Sequence, residues 1–588
     1  MKSLFGNCKE YPMKRLLSSK KELLPPVYPD SLRMNGRTGR LAENITHRWL
    51  IGLKESNPAI IDMFRDRDTQ PYRKHLSWAG EYAGKHLTGA YYIYLLTRSE
   101  VLRADIEAFI DELLTCQDSD GYLGCFSREC RLTGAFSQNP SVSGCAWDAW
   151  NHYHIMTGMF LWYGITEKKE YLDAVIRAAD LFLKKFYNGK PTVASIGSCE
   201  MNFAVYHIFV MLYRFTQEVK YLFFARKIEN DMSSEGMGNH IENALNGLDF
   251  YKTSWTRWEN LHFILGVTEM YLATGESWYL KAADHIVRSI MKTDVHNTGA
   301  FSTQEQAIGT PYTTGHIETC CVVAFNALVM RVAAISGDPS LLDFLEHSYC
   351  NAVLGYYNPS GRWSTYDTPM DGFKWPSFHT IGFQIRPGSP MLNCCSVNAP
   401  RGVGELSRWM FTESDGILCI NYYEPFDAVF GDTQIVCESN YPAPSVIRIT
   451  VSGSLCPVKL RIPSWSKVSS VTVDGTVSSA EPGSWFTADG TEILVNLDFS
   501  PRFQDGEQEY AKKTSIFSGP VLYGFDSFMN PDLDIRALPA IHASRITTLP
   551  EVTKDGSIHW LADGVTLCDF YHLGVSGSGY STWLNIIH

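Results

Sequence analysis

The chain has 588 residues, past the size at which one hydrophobic core stops growing, so two or more domains are expected. Hydrophobic residues make up 45% and charged residues 19%, a globular balance that excludes a disordered or fibrous chain. A formal charge of −12 speaks against nucleic acid or an anionic membrane as partner, because both need a basic face, and a neutral or cationic small ligand suits it better.

The N-terminal stretch MKSLFGNCKEYPMKRLLSSKKELLPP is basic but has no apolar run long enough for a secretion signal. No later segment reads as a membrane span, so a soluble, cytoplasmic chain is expected. Fifteen cysteines, odd in number and irregular in spacing, fit buried thiols better than a disulfide framework.

Five similar junctions follow between Thr97 and Leu342: TRSEVL, TEKKEYL, TQEVKYL, TGESWYL and SGDPSLL. Each closes an apolar stretch and opens an amphipathic one, and its leading Thr or Ser reads as a helix-start signal. In VLRADIEAFIDELLTC one helical face carries Leu102, Ile106, Phe109, Ile110, Leu113 and Leu114. YLDAVIRAADLFLKKFY repeats the pattern through Leu172, Val175, Ile176, Ala179, Leu183 and Phe186. The period suits one helical hairpin plus a variable loop, and the earlier stretch RLAENITHRWLIGLKESNPAIIDMF can supply a sixth. Six hairpins make a closed (α/α)6 barrel, with an open solenoid as the alternative. The long Gly- and aromatic-rich loops favour closure, with function gathered at one end.

After Glu413 short alternating runs such as SVIRITVSG and TEILVNLDF, separated by Gly, Asp and Pro, read as an antiparallel β-sandwich of jelly-roll type. The expected division is residues 1–415 for the barrel and 416–588 for the sandwich. Val473–Gly475 is a tight hairpin signal.

Two adjacent cysteine pairs carry the chemistry. Glu318, Cys320, Cys394 and Cys395 offer three thiolates and a carboxylate, a good tetrahedral donor set for zinc, although no CxxC knuckle announces it. Ordinary buried thiols are the competing reading. HIETCC reads as a loop entering a helix, NCCSVNAPRG as a segment of turn formers, and Cys321 as a core residue. Glu305, in a Gly- and polar-rich loop, could protonate a leaving oxygen or could be a solvated side chain. Glu81, Lys85, His86, Asp120 and Tyr122 stand where barrel loops could line a pocket; a plain i, i+4 ion pair is the other account of Glu81 and Lys85.

In that order, WAGEYAGKHLTGAYY, CQDSDGYLGCF, GHIETCC, NCCSVNAPRG, LRIPSW and SGPVLYGF resemble the zinc-cysteine glycosidases of the β-L-arabinofuranosidase type, glycoside hydrolase family 127 and its relatives. The resemblance implies an (α/α)6 barrel followed by a β-sandwich. It implies Zn2+ held by Glu318, Cys320, Cys394 and Cys395, with Cys394 also the nucleophile and Glu305 the general acid/base. It further implies His154 and Tyr366 as substrate-binding residues. Two other substrate-contacting histidines of the family fall at Ser198 and Leu265 here, and the interval from Glu305 to Glu318 is shorter than is typical.

The expectation is therefore a retaining exo-glycosidase acting on a terminal, β-L-arabinofuranoside-like sugar of an oligosaccharide or small glycoside. Neither nucleic acid nor membrane is an expected partner, and the sandwich faces are compatible with a homodimer. An unsaturated-uronide hydrolase or polysaccharide lyase on a helical toroid is one alternative, and a non-catalytic, zinc-stabilised glycan-binding protein is another.

Overall fold

The computed structural model describes residues 16–137, 145–188, 191–380, 388–454 and 457–588. The basic stretch through residue 15, Cys8 and Cys456 lie outside them.

Twelve helices form a ring of six pairs. The inner helices are α2 (Glu81–Thr97), α4 (Asp148–Thr166), α6 (Val205–Thr216), α8 (Asn260–Thr274), α10 (Thr319–Ser336) and α12 (Cys394–Gly404). Each packs on the next and α12 returns to α2, so the barrel is closed. The outer partners are α3 (Glu100–Leu114), α5 (Lys169–Phe186), α7 (Val219–Met232), α9 (Ser277–Thr293), α11 (Pro339–Ser348) and, for α12, the N-terminal α1 (Arg37–Ile45). The sixth pair is thus assembled from the two ends of the domain, whereas the sequence suggested one local hairpin.

Inner helices are buried almost all round and outer ones along one stripe. The α3 stripe is the expected one through Leu113. On α5 it is turned by about one residue: Tyr171, Ala174, Ala178 and Phe182 are buried beside Val175, Ala179 and Phe186, and Leu172, Ile176 and Leu183 flank them. Thr319–Ser336 is long and apolar enough to cross a membrane, with mean hydropathy 1.8, contrary to the sequence expectation; its residues are apolar because they are 89% buried inside the ring.

The leading Thr or Ser of each junction ends an inner helix, and where a side chain caps the following outer helix it is a later one, Ser99 for α3 and Asp338 for α11. Thr97, Thr166, Thr216 and Thr274 each donate a hydroxyl hydrogen bond to the carbonyl four residues earlier, at 2.8–3.0 Å. The same oxygen, and Ser336 Oγ, accepts the amide two residues on. The residue between takes a left-handed conformation in all five: Arg98, Glu167, Gln217, Gly275 and Gly337. The hydroxyl stabilises the turn that reverses the chain.

The run of successive strands begins at Phe411, and the β portion is larger than one sandwich. A seven-stranded sheet, which recruits Ser31–Met34 from the N-terminus, faces a four-stranded sheet containing Phe411–Ser414. Phe411 inserts edge-on between Phe426 and Phe430 of the larger sheet. At the hairpin Val473↔Thr476, Asp474 and Gly475 both have positive φ, the turn its sequence signals. A third sheet, eight-stranded and built around Thr514–Ser518 and Val521–Asp526, packs on the barrel. Asn297 donates to Ser515 and Thr582, and Arg37 pairs with Asp569 at 3.1 Å. Arg461, fully buried, joins the first sandwich to Asp343 and Glu346 on α11.

Candidate active site

All six inner helices point their N-termini at one end of the barrel, which gathers partial positive charge there. Glu318 is the N-cap of α10 and Cys320 lies in its first turn. Cys394 and Cys395 open α12, which the sequence had read as a turn-rich segment. A capping box starts that helix: Ser396 N–H donates to Asn393 Oδ1 at 2.9 Å, and Asn393 N–H donates to Ser396 Oγ at 3.1 Å. Asn and Ser here are helix-start residues.

The four donors converge. Cys395 Sγ is 3.5 Å from Cys320 Sγ, 3.8 Å from Cys394 Sγ and 3.1 Å from Glu318 Oε1, and Cys394 Sγ is 3.4 Å from that oxygen. All four ligand atoms lie within 4.8 Å of one another and all four residues are buried, so together they could hold a metal ion. A tetrahedral ion with bonds of about 2.3 Å to sulfur and about 2.0 Å to oxygen sets its donors about 3.5–3.8 Å apart, so the cluster fits such an ion with little adjustment. Cys321, expected only as core, donates to Glu318 Oε2 at 3.8 Å and so leaves Oε1 facing the thiols.

Electrostatics point the same way. Burial opposes ionisation of Cys320, but hydrogen bonds from Cys394 and Cys395 and the nearby Lys85 ammonium bring it down to about 6. Burial and that thiolate push Cys394 up to about 12 and Cys395 well above the usual thiol range. Without a cation the cluster keeps most of its protons, and a bound metal would replace them. Lys85 Nζ is 3.8 Å from Cys320 Sγ and 3.0 Å from Glu81 Oε1. The expected i, i+4 ion pair is present, but it is buried, and its Lys85 ammonium is the positive charge beside the cluster. Burial raises Glu81 to about 7 despite Lys85.

Above the thiols opens a cavity of about 170 Å³ lined by Trp78, Trp147, Trp258, Arg257, Glu259, Glu305, Glu318, Tyr366, Glu81 and Cys394. Cys320 and Cys395 are not among its lining residues. Cys394 Sγ donates to the Tyr366 hydroxyl at 3.7 Å, and that hydroxyl donates to Glu305 Oε1 at 3.4 Å. Glu305, in a left-handed backbone conformation, is 30% exposed, and its Oε2 is 2.6 Å from Arg257 Nη2. Arg257 also donates to both oxygens of Glu259, at 2.8 and 3.1 Å. Glu259 is buried, which raises it to about 7 against the pull of Arg257.

Other sequence candidates lie elsewhere. His154 is one layer below the pocket, its ring 4.5 Å from Trp150 and 5.3 Å from His262. Ser198 precedes the short helix Cys199–Asn202, and Leu265 lines a second cavity lower in the barrel. The histidine that meets His154 is His262, three residues before Leu265 on α8, and neither ring lines the pocket. His86 faces Phe109 between α2 and α3. Tyr122 is buried with its hydroxyl on Asp148, and Asp120 accepts the Tyr122 amide, so neither lines the pocket.

Sequence reading passed over Arg257, Glu259 and the three tryptophans. The run TRWEN, with an aromatic residue between opposite charges, was the available signal for Arg257, Trp258 and Glu259.

A closed helical barrel with a one-ring pocket, a reachable thiol and a facing carboxylate defines a sugar-processing hydrolase. Residues 11–407 match the β-L-arabinofuranosidase, GH127 catalytic-domain family model, and the chain belongs to that family of glycoside hydrolases. It is 21% identical over 485 residues to the non-reducing end β-L-arabinofuranosidase of Bifidobacterium longum subsp. longum, covering 73% of this chain and 72% of that one. A solved GH127 β-arabinofuranosidase superposes with TM-score 0.75 at 18% identity, over 96% of this chain and 98% of the other. The GH127 β-L-arabinofuranosidase of Geobacillus stearothermophilus T6 gives 0.74 at 16% identity, over 95% and 100%. These two likenesses establish the shared fold.

Proposed function

We propose that the chain is a retaining exo-glycosidase that releases a terminal β-L-arabinofuranosyl group from an oligosaccharide or small glycoside, with Zn2+ held by Glu318, Cys320, Cys394 and Cys395. One observation carries the reading: of the three clustered thiols, Cys394 is the one that lines the pocket, and it shares the Tyr366 hydroxyl with Glu305.

Bound zinc would keep the sulfur ligands ionised at neutral pH. The Cys394 thiolate attacks the anomeric carbon; as the glycosidic bond breaks, the Glu305 carboxyl gives its proton to the departing oxygen. An S-glycosyl cysteine remains. Glu305, now a carboxylate, takes a proton from water, the hydroxide adds to the anomeric carbon, and the carbon–sulfur bond breaks to restore the thiolate. Two displacements retain the anomeric configuration. Arg257 holds Glu305 at the rim, Tyr366 spaces it from the sulfur, and the tryptophan walls exclude water and limit the pocket to one ring, which favours exo action. His154 and His262 support the floor through Trp150.

The test is hydrolysis of a nitrophenyl glycoside panel with NMR of the first-formed product, and elemental analysis of the same sample. Turnover of the β-L-arabinofuranoside with a β-configured first product and about one zinc per chain is expected. An α-configured first product would overturn the cysteine mechanism, and turnover confined to another sugar would overturn the substrate assignment.

A further inference from the structure

We infer that the lower end of the barrel holds one small monovalent anion, such as chloride, among Arg331, Arg401 and Arg408. The inner helices and the turn after α12 enclose there a cavity of about 40 Å³, which these arginines line together with Tyr92, Thr157 and Glu269. The N-terminal segment crosses beneath it: Leu17, Ser19 and Leu24 amides donate to the carbonyls of Arg214, Leu272 and Ala334 at 2.7–2.9 Å.

Charges in this region do not balance. Glu269 lies between Arg214 and Arg331, with its Oε1 2.8 Å from Arg331 Nη2, and Arg331 also pairs with Glu22 at 2.5 Å. Glu405 accepts from Arg401 Nε at 2.8 Å. These three carboxylates answer Arg214, Arg331 and Arg401. Arg408 has no carboxylate partner among the described residues, and its guanidinium lies 5.9 Å from the centre of the Tyr92 ring. Two buried donors nearby, Arg331 Nε and the Thr157 hydroxyl, are unsatisfied, and so is one buried acceptor, Glu405 Oε2. A guanidinium surplus facing unsatisfied donors is costly in a closed space unless an acceptor of negative charge fills it. One surplus positive charge calls for a monovalent ion, and a cavity of this size admits a halide with at most a water or two, not a sugar acid or a phosphate ester. Such an ion ties α4, α10 and α12 together across the barrel axis and relieves repulsion between Arg331 and Arg408.

The experiment uses the full chain in sodium chloride, sodium bromide and sodium gluconate at equal ionic strength. The expected result is a saturable rise in melting temperature of about 1–3 °C with either halide over gluconate, which Arg408→Met loses. In crystals of the unmutated protein grown in bromide, an anomalous peak is expected among the three arginines. Crystals in saturating bromide with no peak in this cavity would overturn the proposal and leave it water-filled, whatever the variant's stability.

Discussion

Arg257 and Glu305 are joined by a 2.6 Å ion pair at the rim of the pocket, and the same Nη2, together with Nε, holds buried Glu259. A carboxyl that must meet the departing oxygen in one step and water in the next needs a fixed position, and a misplacement of about 1 Å can cost about 100-fold in rate. Arg257→Ala is therefore expected to lower kcat on a nitrophenyl β-L-arabinofuranoside by about 100-fold with a smaller change in KM. Arg257→Lys should recover part of the loss through the single charge it keeps. Unchanged kcat in the alanine variant would mean that Glu305 holds its place without the anchor.

The thiols divide by exposure to the pocket, and their variants should divide the same way. Cys394→Ser removes the proposed nucleophile and is expected to cost about 10⁴-fold or more in kcat while three donors keep metal in the protein at lower affinity. Cys320→Ser, whose sulfur does not line the pocket, leaves as many donors and should weaken metal binding to a similar degree, but it keeps the Cys394 sulfur, so excess zinc should restore its turnover. Elemental analysis beside steady-state rates separates the cases. A Cys394→Ser enzyme with ordinary turnover would exclude sulfur as nucleophile.

Asn393 fixes the helix that carries two of the three thiols. Asn393→Ala leaves the first-turn amides of α12 without their cap and is expected to destabilise the fold by about 1–2 kcal/mol. It should also lower metal affinity, because Cys394 and Cys395 are the first two residues beyond that cap. Asn393→Asp keeps an acceptor and should restore most of both. Denaturant unfolding and metal competition measure the pair of effects, and a stability loss with unchanged metal affinity would separate the cap from the site.

Much of this was legible in the sequence for a physical reason: helix period and burial leave their mark along the chain. The five junctions located five hairpins, although their threonines turned out to close helices, since a hydroxyl bonded to the preceding turn looks in sequence like one that starts the next. The sixth pair was not legible. Its inner helix begins Asn-Cys-Cys-Ser and contains Pro400, and its outer partner lies more than 300 residues away at the N-terminus. The donor set could be named from residue type, but not the division of labour within it, because which of Cys394 and Cys395 faces the pocket depends on the direction in which α12 enters the barrel. The run TRWEN gave a weak signal for Arg257 and Glu259 for a related cause: an ion pair at the mouth of a pocket reads, along the chain, like any exposed pair.

Glu269 gives the lower barrel a pH signature. Burial alone would raise its pKa, but Arg331 and Arg214 outweigh it and hold the carboxyl at about 2, below its ordinary 4.5. Because the folded value is the lower one, the carboxylate contributes stability above about pH 4.5 and loses it as pH falls toward 2. The size is about 3 kcal/mol for a shift of this order. Glu269→Gln has no carboxylate to protonate and leaves two buried guanidinium groups short of a partner, so at pH 7 it should be less stable than the unmutated chain by about 3 kcal/mol. The two unfolding curves should converge as pH is lowered from about 4.5 toward 2, since protonation removes from the unmutated chain what the substitution has already removed. Urea unfolding of both proteins at steps across that range measures the gap. A gap that stays constant with pH would mean that Glu269 acts through packing and not through its charge.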